Sequence, residues 1–162
     1  MKKKDALIAA LKKLGARDPE SWAESEIEED IPQLARFTFL KGAWDQIVRD
    51  GDASWIDGEI ASTPEGSAEP YAGVAHALRK LKREGADLVA VADVVRGMQA
   101  RLLFDLCYML SDPDSVAGND SVGWSLVESD ENEGSARVID GLHESVLETD
   151  PTGREMRPRN RG

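Results

Sequence analysis

The sequence predicts a mainly α-helical protein, a single-domain bundle over residues 1–150 built around one long helix at about residues 87–110. Apolar residues recur at steps of three and four through most of the chain, which is the spacing of a helix face. Proline and glycine residues separate these segments in the positions typical of helix starts and ends. Alternating apolar and polar residues, the pattern of a strand, occur mainly after residue 121.

The segment DLVAVADVVRGMQARLLFDLCYML defines the long helix. Its main apolar stripe consists of Leu88, Val91, Val95, Met98, Leu102, Leu106 and Met109. Leu103 and Leu110 add a second apolar side, and a helix that is apolar on more than one side is usually buried, so we expect the other helices to pack around it. Four charged residues interrupt the segment: Asp93, Arg96, Arg101 and Asp105. Their cost at a membrane centre argues against a transmembrane helix.

The first half of the chain predicts shorter helices. An amphipathic helix over residues 5–14 ends at Gly15, and Asp18-Pro19 supplies an N-cap and a first helical position for the next one. A third helix begins at Pro32 and extends to about residue 50. Residues 52–60 and 70–83 predict two more, separated by a loop at 62–67.

Two alternatives are open after residue 121. Residues 122–128 and 137–143 alternate and could form a small β-hairpin with its turn at 130–134, whereas 137–147 also fits a helix. We favour the helix for 137–147. Residues 151–162 are predicted to be a flexible Arg-rich tail.

The charge of the chain restricts its partners. The formal net charge is −11, and because each end of the chain contributes about +3, the body between them is more acidic still. Such a body repels nucleic acid and anionic membranes and attracts basic proteins. Cys107, the single cysteine, excludes an intramolecular disulfide and argues against a structural zinc site. We expect a soluble, cytoplasmic protein without metal or cofactor, and the sequence leaves its oligomeric state open.

One cluster has the residue types of a catalytic or metal site. On a helix, Asp140, His143 and Glu144 would share a face, and a carboxylate beside an imidazole can orient it and raise its pKa. The other histidine, His76, belongs to a different predicted helix, and the sequence contains no H-E-x-x-H motif. This cluster supports an alternative function as a small metal-binding or hydrolytic enzyme.

The leading hypothesis is a non-enzymatic protein-interaction module that uses an acidic surface to bind a basic protein, for example in a toxin-neutralising or adaptor role. Residues 18–30 contain seven carboxylates and no basic residue. The predicted interaction residues are Trp22, Glu24, Glu26, Glu28, Glu29 and Trp55. Complementary charge would accelerate the encounter, and a desolvated tryptophan would hold the complex.

Overall fold

The computed structural model describes residues 2–129 and 136–159, and this part of the chain is mainly helical. It contains seven α-helices, one of them long, and a two-stranded antiparallel hairpin near the C-terminus, which confirms the predicted fold class. The chain divides into two compact units. The first comprises Met1–Gln46 and Arg101–Gly162, and the second comprises Ile47–Ala100.

Three helices begin the first unit: α1 (Lys2–Leu14), α2 (Pro19–Glu28) and α3 (Gln33–Trp44). Gly15 has a φ of 89°, a left-handed conformation that ends α1, and the Asp18 side chain accepts a hydrogen bond from the Ser21 N–H at the start of α2. The three helices share one apolar core. Its buried members are Leu7, Leu11, Trp22, Ala23 and Phe37.

Helix α3 is shorter than predicted. It ends at Trp44, although the apolar spacing continues to Ile47, which is also buried. The predicted helix is too long because Ile47 is buried in the turn after α3, at the position where a continued helix would also bury an apolar residue.

Both alternatives for the C-terminal region are present in shortened form. Strands β1 (Val127–Ser129) and β2 (Ala136–Val138) pair antiparallel, and α7 (Leu142–Ser145) follows them. The favoured helix over 137–147 is thus wrong in its first part, where Gly141 with φ of 62° precedes the helical turn. The predicted turn at 130–134 lies outside the described residues.

Two hydrogen bonds connect α3 to the two ends of α7. The Trp44 indole Nε1–H donates to the Val146 carbonyl at 3.0 Å, and Arg36 donates to the Gly141 carbonyl at 2.7 Å. Side chains of Leu142 and Val146 are fully buried. A four-residue helix is far too short to be stable alone, so these tertiary contacts hold it.

The second unit contains α4 (Ser54–Ser62), α5 (Ala72–Arg83) and the beginning of α6 (Leu88–Ser111). Ile56, Ala75 and Leu78 are its buried apolar residues on α4 and α5, together with Ala72. The Arg79 guanidinium donates to the carbonyls of Ile60, at 2.7 Å, and Thr63. It therefore satisfies carbonyl groups at the end of α4 that have no partner within the helix.

Helix α6 exists as predicted, but its buried face is a different one. The residues that it buries are Ala92, Arg96, Ala100 and Cys107. Met98 is 67% exposed and Leu102 is 58% exposed, and Leu106 is exposed as well. The expectation that other helices cover the main apolar stripe of this helix is therefore wrong for these three residues. Small side chains let neighbouring backbone approach closely, and the Arg96 guanidinium donates a hydrogen bond to the Val48 carbonyl at 2.8 Å.

No helix in the described ranges is both long and apolar enough to cross a membrane. Beyond α7, the carboxylate of Asp150 accepts hydrogen bonds from the backbone of Thr152 and Met156, and both residues are half-buried. These contacts fold the start of the predicted tail into a turn. Its last three residues, 160–162, lie outside the described residues.

Candidate acidic interaction site

The acidic run at residues 18–30 is divided between structural and exposed carboxylates. Glu20 pairs with Lys12 at 2.7 Å, and Glu24 lies 3.6 Å from Lys4. The hydrogen bond from Lys12 is the largest cause that lowers the pKa of Glu20. Glu28 is exposed on α2, but because Glu20 and Glu24 face lysines, the unpaired charge of this run is smaller than its composition indicates.

Two of the predicted interaction residues, Trp22 and Glu26, are buried, and the burial of Glu26 corrects its expected place on the acidic surface. Trp22 is only 7% exposed and meets Phe37 edge-on, with ring centroids 5.3 Å apart. Glu26 is 5% exposed, and its Oε2 accepts the Leu34 N–H at 2.8 Å. Helix α3 has Pro32 at its N-cap position, which provides no side-chain cap, so Glu26 performs that role from α2.

Trp22 nevertheless lines two clefts. The first, about 270 Å³, is bordered by the carboxylate residues Asp18, Glu148, Asp150 and Glu155 and by Arg17. The second, also about 270 Å³, is bordered by Glu29 and Glu148 and by the hydroxyl residues Ser21, Ser25 and Ser145. A cleft lined by an aromatic ring, carboxylates and hydroxyls is a suitable site for a lysine or arginine side chain.

Glu29 and Glu148 are the carboxylates in these clefts with the most freedom to bind. Neither side chain has a hydrogen bond or ion pair within residues 2–129 and 136–159, and both residues are exposed. By contrast, Asp18 caps α2 and Glu155 pairs with Arg157 at 2.7 Å. Sequence reasoning identified Glu29 but missed Glu148, because Glu148 lies far from the acidic run in the chain.

Trp55 belongs to α4 in the second unit and is half-buried. Its indole Nε1 is buried and has no hydrogen-bond partner among the described residues. Trp55 is not among the residues that line either cleft.

Two arginines in the first unit escaped sequence analysis. Arg36 is buried, and this burial lowers its pKa despite the opposing influence of Glu144, Asp140 and Glu148. It donates to the Gly141 carbonyl and, at 3.2 Å, to Ser145 Oγ. An arginine inside a helical sequence gives no sign of a partner more than a hundred positions away.

Arg137 joins three carboxylates. Its guanidinium contacts Glu26 at 3.0 Å, Asp30 at 3.6 Å and Glu128. Burial opposes the charge of Arg137, but the hydrogen bonds to Glu128 and Glu26 outweigh that effect and raise its pKa. This cluster attaches the hairpin to the end of α2.

Of the alternative cluster Asp140, His143 and Glu144, the short helix α7 contains His143 and Glu144, and Asp140 precedes it. His143 contacts the rings of Tyr108 and Phe104, with centroids 5.0 and 5.8 Å away. Asp140 accepts the Gly141 N–H at 2.6 Å, and Glu144 is exposed. No group of three or more side chains able to hold a metal occurs in the part of the chain that the structure describes.

The remaining nucleophile and the second histidine are both in enclosed positions. Cys107 is buried, and desolvation raises the pKa of its thiol to about 11. A thiol with such a pKa is almost entirely protonated at neutral pH and is a poor nucleophile. His76 lies on α5 in the second unit, with its Nε2 buried and without a described partner.

Neither the family models, the curated proteins nor the solved structures compared with this chain gave a match.

Proposed function

We propose that this chain is a non-enzymatic protein-interaction module that binds a basic partner protein in the acidic clefts beside Trp22. The observation that carries the proposal is the pair of carboxylates, Glu29 and Glu148, which border one cleft and make no side-chain hydrogen bond or ion pair within the described residues. A cationic side chain entering this cleft would gain charge-assisted hydrogen bonds and contact with Trp22. A toxin-neutralising or adaptor role is a concrete form of this function, and the cytoplasm is the compartment that we propose.

The packing of Trp22 supports a preformed site. The ring is held by Phe37 and by the core of α1–α3, so the partner would not have to order it on binding. Preorganisation lowers the entropic cost of association. Long-range attraction from the net charge of −11 would accelerate the encounter, while the clefts would determine which cation is bound.

Affinity capture with a charge-matched control tests the proposal. Wild-type protein, the Glu29→Gln/Glu148→Gln variant and a Glu65→Gln/Glu69→Gln control are immobilised and incubated with native lysate at low salt. Both variants lose two negative charges, and Glu65 and Glu69 are exposed residues of the second unit. We expect the wild type and the control to retain the same basic protein and the cleft variant to lose about tenfold or more of it, as expected when buried ion contacts are removed.

Two results would contradict the proposal. The first is that the wild type retains no protein with a basic isoelectric point. The second is that both variants lose the basic protein equally, which would mean that it responds to net charge and not to the clefts. Circular dichroism of all three proteins verifies that the substitutions leave the fold intact.

A second candidate function is the small metal-binding or hydrolytic enzyme. His143 favours it because its Nδ1 is buried without a hydrogen-bond partner among the described residues. An imidazole nitrogen in that state is available to a ligand. Metal analysis and hydrolase screening of the wild type beside His143→Ala test this candidate, and it fails if the two proteins carry no metal and show the same activity.

A further inference from the structure

A third cavity, about 720 Å³, lies in the first unit between α3 and the hairpin. Its apolar wall contains Leu34, Phe39, Leu126 and Ile139. Leu34, Phe39 and Leu126 are only half-buried, so this groove has an apolar lining that the described chain does not cover completely. Four consecutive residues, 126–129, border it, which places β1 along its length.

The hydrogen-bond register shows that β1 has an unpaired edge. The Ile139 N–H donates to the Leu126 carbonyl at 2.8 Å, and Val127 is opposite Val138. In an antiparallel pair, hydrogen-bonded and non-hydrogen-bonded positions alternate, so Val127 and Ser129 occupy the non-hydrogen-bonded positions. Their N–H and C=O groups point away from β2, and they have no hydrogen-bond partner within the described residues.

The charges at the groove favour a cationic occupant. Glu26, Glu128 and Arg137 border it, and Asp30 contacts the same guanidinium. Three carboxylates surround one arginine in this cluster, so a negative charge remains. Asp30 is highly exposed, with 91% of its side chain accessible.

We propose that the groove binds an extended basic segment of the partner protein, which adds to the free edge of β1 as a third strand. This inference rests on the proposed function, because it specifies how the basic partner is held. Backbone hydrogen bonds to Val127 and Ser129 would fix the register. Alternate side chains would then point inward, apolar beside Leu126 and cationic beside Glu128.

The hairpin offers a matched pair of substitutions. Val127→Pro removes an N–H from the edge of β1 that borders the groove, and Val138→Pro removes the equivalent N–H from the opposite edge of the hairpin. The two valines are paired in register and similarly exposed, at 44% and 53%. Neither N–H bonds across the hairpin, and proline is tolerated at such outward positions.

The probe is the peptide Lys-Val-Thr-Val-Thr-Lys, labelled with a rhodamine dye at its N-terminal amine and amidated at its C-terminus, and its binding is measured by fluorescence anisotropy at low salt. We expect Val127→Pro to weaken binding about fivefold or more, the loss typical of one backbone hydrogen bond and its neighbour, and Val138→Pro to change it less than about twofold. Replacing both lysines of the peptide by glutamate should weaken binding about tenfold. Every second backbone nitrogen of the peptide can be methylated in two ways, which remove the N–H groups of one edge or of the other. The peptide that is methylated on the edge facing β1 should bind more weakly than the other.

Amide hydrogen exchange of the wild-type protein, measured with and without the peptide, tests the same inference without a variant that could fail to fold. We expect the lysine peptide to slow exchange at the Val127 and Ser129 amides and to leave Val138 unchanged. Equal binding by the two proline variants, no peptide binding at about 1 mM, or unchanged exchange at Val127 overturns the inference. If that happens while Glu29→Gln/Glu148→Gln still loses the basic protein, the strand-addition inference fails and the proposed function stands.

Discussion

Replacing Glu26 by alanine should destabilise the first unit strongly, because this carboxylate serves two helices and the hairpin at once. It accepts the Leu34 N–H at 2.8 Å at the start of α3, and it pairs with Arg137 at 3.0 Å. Its side chain is 3% exposed, so water cannot replace either contact without a rearrangement.

The size of the effect follows from these two contacts. Loss of a helix cap costs about 1 kcal/mol. Breaking a buried ion pair costs about 3–5 kcal/mol, but Arg137 is 28% exposed and keeps Glu128, which reduces that cost to about 2 kcal/mol. We therefore expect Glu26→Ala to lower the free energy of unfolding by about 3 kcal/mol. Glu26→Gln keeps an acceptor for Leu34 and should cost about 1–2 kcal/mol.

Urea denaturation followed by tryptophan fluorescence and by circular dichroism measures this change. With a slope of about 2 kcal/mol per molar urea, a loss of about 3 kcal/mol moves the midpoint by about 1.5 M. Glu24→Ala is the control from the same helix. Glu24 is exposed and 3.6 Å from Lys4, so its removal should cost less than about 1 kcal/mol.

A double-mutant cycle separates the cap from the ion pair. If the Arg137 contact contributes as argued, Glu26→Ala and Arg137→Ala should show a coupling energy of about 1–2 kcal/mol, whereas the cap contribution appears only with Glu26. A Glu26→Ala midpoint shift no larger than that of Glu24→Ala would refute the assignment of Glu26 as a buried structural carboxylate.

Three further predictions concern other buried polar groups. Arg36→Met should lower the unfolding free energy in urea by about 2–3 kcal/mol because the Gly141 carbonyl loses a charged donor, and a loss below about 0.5 kcal/mol would contradict this. Trp44→Phe keeps most of the ring but removes the donor to Val146, so urea midpoints should show a loss of about 1 kcal/mol, with an unchanged midpoint as the contrary result. Burial raises the pKa of the Cys107 thiol from 9.0 to about 11, so the unfolded chain loses this proton at a lower pH than the folded chain. The free energy of unfolding is therefore unaffected by this thiol below pH 9 and falls as pH rises from 9 to 11. Urea midpoints of the wild type should fall more steeply than those of Cys107→Ala in that interval, and parallel slopes would count against a buried thiol.

Sequence reasoning recovered the helices whose signals are local. Asp18-Pro19 marked the start of α2, and the spacing of apolar residues located α6 because such patterns depend on neighbouring positions only. The buried face of α6 was not predictable in the same way. Hydrophobicity favours Met98 and Leu102 for the core, but the chain buries Ala92 and Arg96, since close backbone approach and a hydrogen-bonded guanidinium depend on residues distant in sequence.

The candidate site shows the same division. Its acidic composition was predictable, but the choice of which carboxylates are available was not. Glu26 and Arg137 are 111 positions apart, and no local pattern relates them. The same holds for Glu148, which joins Glu29 at one cleft only after α7 has been positioned by its contacts with α3.

Net charge alone therefore overstates the surface that a basic partner would meet. Within the acidic run, Glu20 and Glu24 already face lysines, and Glu26 is enclosed. A partner that responded to total charge would bind equally well to the exposed acids of the second unit. A partner that bound as proposed would instead distinguish Glu29 and Glu148 by their position at a cleft lined by Trp22, where their side chains make no hydrogen bond or ion pair within the described residues. For that reason a charge-matched substitution, and not a change of salt concentration, is the informative comparison.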